Sequence, residues 1–311
     1  MTLFLSESDV QELLSPEAAV EAVEEAFLRM AAGSVEIAPR RRLKLQEGRL
    51  ADMAASDLEL GYACVKAYAG FAEGAAFLVA LFAVDRPELV ALVEADHLGR
   101  LRTGAASAVA AKYLAREGAT SLGVIGCGTQ AETQVACIRA AVPTIERVLA
   151  YCRTERNLRE FCKRVGAEPA ESNREAAEQD IVVTITTSRD PVLRGEWLNP
   201  GCLVCAAGAN NPASRELDNV VLERATFVCC DWKEQARLES ADLIEPIQRG
   251  VLDWLEVHEL HEVVSGELPG RQSPDDIAVF KSNGIASWDV AVAAAAVEQA
   301  REKKVGTELK R

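Results

Sequence analysis

The chain has 311 residues, enough for one large domain or two ordinary ones, and nearly half of them are apolar, ample for a core. A formal net charge of −14 argues against general binding to nucleic acid or to an anionic membrane, so any anionic ligand must be held by a local cationic cluster. No apolar run is long enough to span a bilayer, and residues 1–9 carry no basic leader, so a cytoplasmic location is expected.

Residues 8–33 are helical in pattern. Ser15, Pro16 and Glu17 supply an N-cap, a first-turn proline and a first-turn acid, and Ala19, Val20, Val23, Ala26 and Phe27 recur at helical spacing. Between residues 41 and 93 the pattern favours strands at 43–45, 62–67, 77–84 and 89–93, separated by glycine turns and by Asp85-Arg86-Pro87. This predicts a mostly antiparallel α+β region. Residues 103–114 form a helix of small residues suited to close packing. From Ser121 the chain alternates. Strands are expected at 121–126, 147–152, 180–186, 202–207, 226–231 and 277–282. Helices are expected at 130–141, 155–164, 174–179, 217–223 and 253–264. The fold class is therefore α/β, a Rossmann doubly wound parallel sheet next to the α+β region. The last helix, 286–303, is nearly all Ala and Val along one side and needs burial, against the N-terminal region or a second copy.

The run from Ser121 to Ala131 is the sharpest signal. A buried strand leads into Gly126, Gly128 and Ala131 as G-x-G-x-x-A, and a helix follows. Gly126 permits the tight turn, Gly128 lets backbone approach a pyrophosphate, and Ala131 keeps helix and strand close. A nucleotide cofactor is expected. The next strand ends in Cys152-Arg153-Thr154, with no acid to bind a ribose hydroxyl. Arg153 and Thr154, with Arg156 as a second basic contact, favour NADP(H), with NAD(H) as the alternative.

Cys202 and Cys205 form a C-x-x-C, but residues three apart on a strand face opposite sides. Cys229 and Cys230 fail as a pair for the same reason, so all four read as reduced core cysteines. His258 and His261 make H-E-x-H, not the zinc-binding H-E-x-x-H, and read as surface helix histidines. His97 reads equally as structural or as lining a binding cleft. Lys66 interrupts an otherwise apolar strand and needs an acidic partner or an anionic ligand. Arg102 precedes a helix start at Thr103, a pairing that suits an anion. Of Arg40, Arg41 and Arg42, at most one or two should be functional.

Read together and in order, Gly61–Lys66, Leu101–Ala106, Val124–Ala131, Val183–Thr187, Gly208–Pro212, Arg215–Asp218, Asp231 with Glu234–Ala236, and Phe280–Asp289 resemble the ornithine cyclodeaminase/mu-crystallin family over essentially the whole chain. The resemblance implies a homodimer. It implies a substrate-binding and dimerisation domain from residues 1–117 and 290–311, and a dinucleotide domain at 118–289, with cofactor and substrate meeting in the cleft between them. It places the substrate carboxylate on Arg40, Lys66 and Arg102. It places the cofactor on Gly126, Gly128, Thr129, Gln130, Ala131, Arg153, Thr154, Thr186, Asp231 and Ser282. Asp289, in Ser287-Trp-Asp, reads as a cap of the last helix and only secondarily as facing the cleft. The chemistry implied is hydride transfer at the α-carbon of a small amino or imino acid, with no metal.

Two departures redirect that expectation. Cyclodeaminases of this family carry an Asp where this chain has Asn210, and a Glu where it has Ala51. An amide is no general base at neutral pH. The sequence therefore points to an NAD(P)H-dependent reductase of a cyclic ketimine carboxylate or to an alanine-dehydrogenase-like enzyme. The alternatives are ornithine cyclodeaminase, converting ornithine to proline and ammonia with internally recycled NAD, and a non-catalytic, NADP-bound protein like mu-crystallin.

Overall fold

The computed structural model describes residues 1–310. Its first elements are β1 (Thr2–Leu5), α1 (Glu7–Leu13), α2 (Pro16–Ala31), β2 (Val35–Leu45), β3 (Gly48–Asp57), β4 (Tyr62–Phe71), β5 (Gly74–Ala83), β6 (Leu89–Glu94) and α3 (Asp96–Leu114). There follow β7 (Ser121–Ile125), α4 (Thr129–Ala141), β8 (Arg147–Tyr151), α5 (Glu155–Val165), β9 (Glu168–Pro169), α6 (Asn173–Ala177), β10 (Ile181–Thr184), β11 (Leu203–Ala206), α7 (Asn219–Arg224) and β12 (Phe227–Cys230). The chain ends with α8 (Lys233–Glu239), α9 (Ala241–Gln248), β13 (Val257–Glu259), α10 (Leu260–Val264), β14 (Ala278–Lys281), α11 (Ala286–Lys303) and β15 (Thr307–Leu309). Two compact units result, one of Met1–Arg102 with the segment from Ile285 onward, the other of Thr103–Gly284.

The first unit is built on a seven-stranded sheet in the order β15-β1-β6-β5-β4-β3-β2, antiparallel apart from the β1–β6 pair. Its strands alternate. In β3, Ala51, Met53, Ala55 and Asp57 are buried while their neighbours are partly exposed, the period-2 signature of a sheet covered on one face. The almost continuous Ala and Val of α11 are buried in this unit, and Trp288 meets Phe27 of α2 edge to face at 5.5 Å. The predicted 8–33 helix is two helices, because Leu14 leaves the helical region and Ser15 caps a fresh start by accepting the Ala18 N–H. Strands β1, β3 and β15 were not expected. The Ala- and Arg-containing β3 lacks the β-branched signal that marks a strand, and its register comes from its neighbours.

The second unit holds an eight-stranded, wholly parallel sheet in the order β13-β12-β14-β11-β10-β7-β8-β9. Strands β7, β10, β11, β12 and β14 are short apolar runs buried along nearly all of their length. The six expected strands are present within two residues at each end. Strand β13 replaces the first part of the predicted 253–264 helix, so His258 lies on a strand, its ring stacked on Phe227 at 5.2 Å. The connecting helices α8 and α9 were not expected. The units divide at 102/103 and 284/285, upstream of the expected 117/118 and 289/290. Within the second unit Ser107 accepts the Cys205 thiol proton on its carbonyl, and Thr103 accepts from the Gln134 amide, which ties the later turns of α3 there.

Candidate active site

In the second unit the strand order reverses about β7, with β10 on one side and β8 on the other. A crevice at the carboxyl ends of such strands is the general ligand position of open α/β sheets. A cavity of about 280 Å³ lies there, lined among others by Gly126, Gly128, Arg153, Thr154 and Thr186. It is also lined by Cys127, Cys152, Asn157 and Asn173, which no sequence pattern marks. Thr129, Gln130 and Ala131 form the first turn of α4. Asp231 and Ser282 are buried at the ends of β12 and β14 and are not among the lining residues. Arg156 pairs with Glu160 at 2.8 Å on the exposed side of α5.

This cavity fits a dinucleotide. Gly128 is the N-cap of α4 and offers no side-chain cap, so the first N–H groups of a 13-residue helix are available to phosphate oxygens. A Cβ at Gly128 would meet nothing within 4 Å, leaving room for close approach. Gly126 is different in kind. Its φ of +113° favours glycine, and a Cβ there would come within 2.4 Å of the Ile185 carbonyl oxygen. Gly126→Ala should therefore lower stability by about 1–3 kcal/mol and abolish measurable dinucleotide binding, as read by thermal denaturation with and without NADH. A variant that binds NADH normally would refute the phosphate-turn assignment.

Beneath this end of the sheet lies a buried polar network that the sequence reading did not find. Glu216 accepts the Thr186, Gly208 and Ala209 N–H groups and the Thr184 and Thr186 hydroxyls. Lys281 donates to the Ala206, Ala209 and Ser282 carbonyls and lies 3.4 Å from Asp242, which accepts the Glu216 and Leu217 N–H groups. Burial raises the Glu216 carboxyl, against the opposing pull of Lys281. The network fixes the backbone on which half-buried Asn210 stands. Asp231 accepts the Asn283 and Gly284 N–H groups, and burial, opposed by these hydrogen bonds, pushes its carboxyl up to about 6. It holds backbone in place.

The first unit holds the cations. Lys66 of β4 faces inward between Met53 and Val79, and its ammonium lies 2.7 Å from Asp289 of α11. The same carboxylate oxygen accepts from Arg102 Nε at 3.2 Å. Asp289 is thus inside the first turn of α11 and buried. It does not cap the helix, whose N-cap is Ile285. Lys66, Arg102 and Arg40 are 2%, 7% and 8% exposed. Arg40 is the buried member of its triplet, whereas Arg41 pairs with Asp52 at the surface. The reason is a register shift between Ala38 and Arg41 that turns Arg40 inward, where its Nε contacts Met53 Sδ at 3.3 Å. Ala51 lies on the same inward face.

The charge balance is uneven. Burial would raise the Asp289 carboxyl, but Arg102 and Lys66 outweigh it and hold the group below the ordinary range. Burial lowers Lys66 to about 8, Asp289 offsets part of that, and Arg102 and Arg40 push it further down. The ammonium is therefore held against burial and against like charge, with Asp289 as its counter-ion. Space is tight here, since a Cβ on Gly99 would lie 3.0 Å from the Lys66 ammonium. His97, half-buried in the first turn of α3, donates its backbone N–H to Glu7.

A parallel sheet with an uncapped phosphate turn defines a dinucleotide-binding protein. The profile of the ornithine cyclodeaminase/mu-crystallin family matches residues 1–304, and the chain belongs to that family. It is 37% identical to the alanine dehydrogenase of Archaeoglobus fulgidus, over 99% of this chain and 98% of that protein. Among solved structures, the Thermococcus litoralis Δ1-pyrroline-2-carboxylate reductase in complex with NADH and L-proline superposes with a TM-score of 0.93 at 33% identity, covering 99% of this chain and 100% of that one. An archaeal alanine dehydrogenase dimer with bound NAD superposes with a TM-score of 0.92 at 35% identity, covering 99% of each chain. Among the described residues no helix is long and apolar enough to cross a membrane.

Proposed function

We propose that this chain is a nicotinamide-dependent oxidoreductase acting on the C–N bond of a small α-imino or α-amino acid, with a cyclic ketimine carboxylate as imino substrate. The observation that carries the reading is the buried set of Arg40, Lys66 and Arg102 around Asp289, in which the Lys66 charge is maintained against burial and against its cationic neighbours. These three side chains hold the substrate carboxylate and so fix its α-carbon. Asn210 hydrogen-bonds the substrate nitrogen or a water. The dinucleotide, when bound, supplies or takes the hydride. An iminium already carries its proton, so the absence of a carboxylate at positions 51 and 210 is tolerable for reduction, whereas deamination of ornithine needs a base there.

A panel of Δ1-pyrroline-2-carboxylate, pyruvate with ammonia, and ornithine, each with NADH and NADPH and followed at 340 nm, tests the proposal. Net oxidation of the reduced cofactor with the first or second is expected. Ammonia release from ornithine with no net change in cofactor would favour the cyclodeaminase reading instead.

NADP(H) is the favoured cofactor, because Arg153 lines the cavity beside Thr154 and no acid does. Arg153→Ser should shift the NADPH-over-NADH ratio of kcat/KM toward NADH by about tenfold, given the strength of a partly solvated charged hydrogen bond. An unchanged ratio would leave NAD(H) as the cofactor.

The chain is further proposed to be a homodimer through the outer face of its antiparallel sheet. Ala38, Ala54, Ala63, Val65 and Phe82 line a shallow apolar groove of about 350 Å³ there, with Val65 and Phe82 exposed. Val65→Asp should yield monomers by light scattering, and a variant that remains dimeric would move the interface elsewhere.

A further inference from the structure

The cavity at the phosphate turn is lined by two thiols as well as by glycines. Cys127 is the residue between Gly126 and Gly128, and Cys152 is the first residue beyond β8. Strands β7 and β8 are parallel neighbours with Ile125 opposite Tyr151, and the Gly126 N–H donates to the Tyr151 carbonyl at 2.9 Å. That register sets Gly126 opposite Cys152 and Cys127 one residue further on, a diagonal of roughly 6 Å from a strand spacing of about 4.8 Å and a rise of about 3.3 Å per residue, inside the roughly 4.4–6.8 Å between Cα atoms that a disulfide spans. The Cys152 thiol is near enough to help push the Cys127 thiol up, and it donates to the Thr154 carbonyl at 3.5 Å. Cys152 is partly exposed and Cys127 nearly buried.

We propose that Cys127 and Cys152 form a modification site that a hydroperoxide converts to a disulfide, and that this bond closes the cavity to the dinucleotide. The second half of that statement rests on the cavity being the dinucleotide site. Cys152, the thiol that meets solvent, attacks one oxygen of the hydroperoxide as its thiolate. The O–O bond breaks, an alcohol leaves with a proton, and Cys152 becomes a sulfenic acid. Cys127 then attacks the Cys152 sulfur, the S–O bond breaks, and water leaves with the Cys127 proton. Two thiols lose two electrons, and the hydroperoxide is reduced to alcohol and water.

The consequence follows from position. The x residue of the G-x-G turn and the tip of the second strand flank the path of the pyrophosphate and the adenosine ribose. Two bridging sulfurs tie those walls together where the ligand must pass. A bound dinucleotide in turn covers both thiols, so oxidation and cofactor binding exclude each other. Burial pushes the Cys127 thiol up, so the more exposed Cys152 is the thiol that meets the oxidant first.

The full chain is titrated with NADH by fluorescence before and after treatment with cumene hydroperoxide, and digested for mass analysis under non-reducing conditions. A Cys127–Cys152 linked peptide, an NADH affinity at least tenfold weaker, recovery with dithiothreitol, and protection by NADH added first are the expected results. Cys152→Ser, compared with its own untreated state, should lose no affinity on treatment. The proposal is overturned by the absence of the linked peptide, by a link to Cys162 in its place, by a linked protein with unchanged affinity, or by equal loss in Cys152→Ser. Failure of the untreated protein to bind any dinucleotide would refute the cofactor reading instead, since the thiol link is scored by mass alone.

Discussion

Lys66→Ala should lower kcat/KM for the imino acid by roughly 10²- to 10³-fold while leaving dinucleotide affinity unchanged. The wild-type ammonium is buried, bound to Asp289 at 2.7 Å, and crowded by Arg102 and Arg40. Truncating one member of a buried, hydrogen-bonded charge pair costs about 2–5 kcal/mol, and about 1.4 kcal/mol corresponds to a factor of ten. The loss should fall mainly in KM if the lysine binds the carboxylate alike in ground and transition states, and in kcat if it chiefly aligns the α-carbon. Arginine should not rescue, because the ammonium already lies where a single Cβ on Gly99 would be 3.0 Å away, and a guanidinium is larger. Full activity in Lys66→Ala, measured at 340 nm with saturating cofactor, would dismantle the carboxylate clamp.

The pH profile gives an independent check on the same lysine. Its folded value is lowered to about 8, so the ammonium is present below that pH and is lost as pH rises through it. Substrate affinity should hold below about pH 8 and fall above it, by up to tenfold per unit, in wild type. The limb should vanish in Lys66→Ala.

What was legible in the sequence follows the physics of each element. Parallel strands buried on both faces appear as unbroken apolar runs, so β7, β10, β11, β12 and β14 could be located to within two residues. The phosphate turn is local, and a glycine with φ of +113° announces itself. Lys66 was legible as a charge in an apolar strand. Its partner was not, because Asp289 is 223 residues away and begins a helix, where an acid reads as a cap or a dipole contact. Arg40 could not be separated from Arg41 and Arg42, since the choice is made by a bulge whose existence depends on pairing with β3, a strand with no propensity signal. The Glu216–Lys281–Asp242 network escaped for the same reason as Asp289. Three charged residues spread over 65 positions become one buried unit only when β11, β14 and α9 are brought together. Short β13 carries His-Glu in an amphipathic context and imitates a helix.

Asp289→Asn is the second substitution with a large expected effect, and it separates two roles that the alanine variant merges. One Asp289 oxygen serves both Lys66 and Arg102, while the other is buried with no hydrogen-bond partner. The carboxylate is therefore both the counter-ion that keeps Lys66 protonated and the post that sets the spacing of the two cations. An amide of the same shape keeps one acceptor but removes the charge, leaving two buried cations facing each other. Loss of one partner from a buried ionic group costs on the order of 3–5 kcal/mol, so a lower melting temperature is expected. The specific signature is the pH limb. Asp289 raises the Lys66 value, so its neutralisation lowers that value further, and the fall in substrate affinity should move from about pH 8 to lower pH. A purely architectural role would reduce stability and leave the limb in place. Binding of a non-reactive planar carboxylate such as pyrrole-2-carboxylate, measured by calorimetry from pH 6 to pH 9 in wild type and variant, reads the two contributions separately. An unmoved limb in a folded Asp289→Asn protein would mean that Lys66 does not set the pH dependence of carboxylate binding. The charge that holds the substrate would then have to be assigned to the guanidinium groups of Arg40 and Arg102.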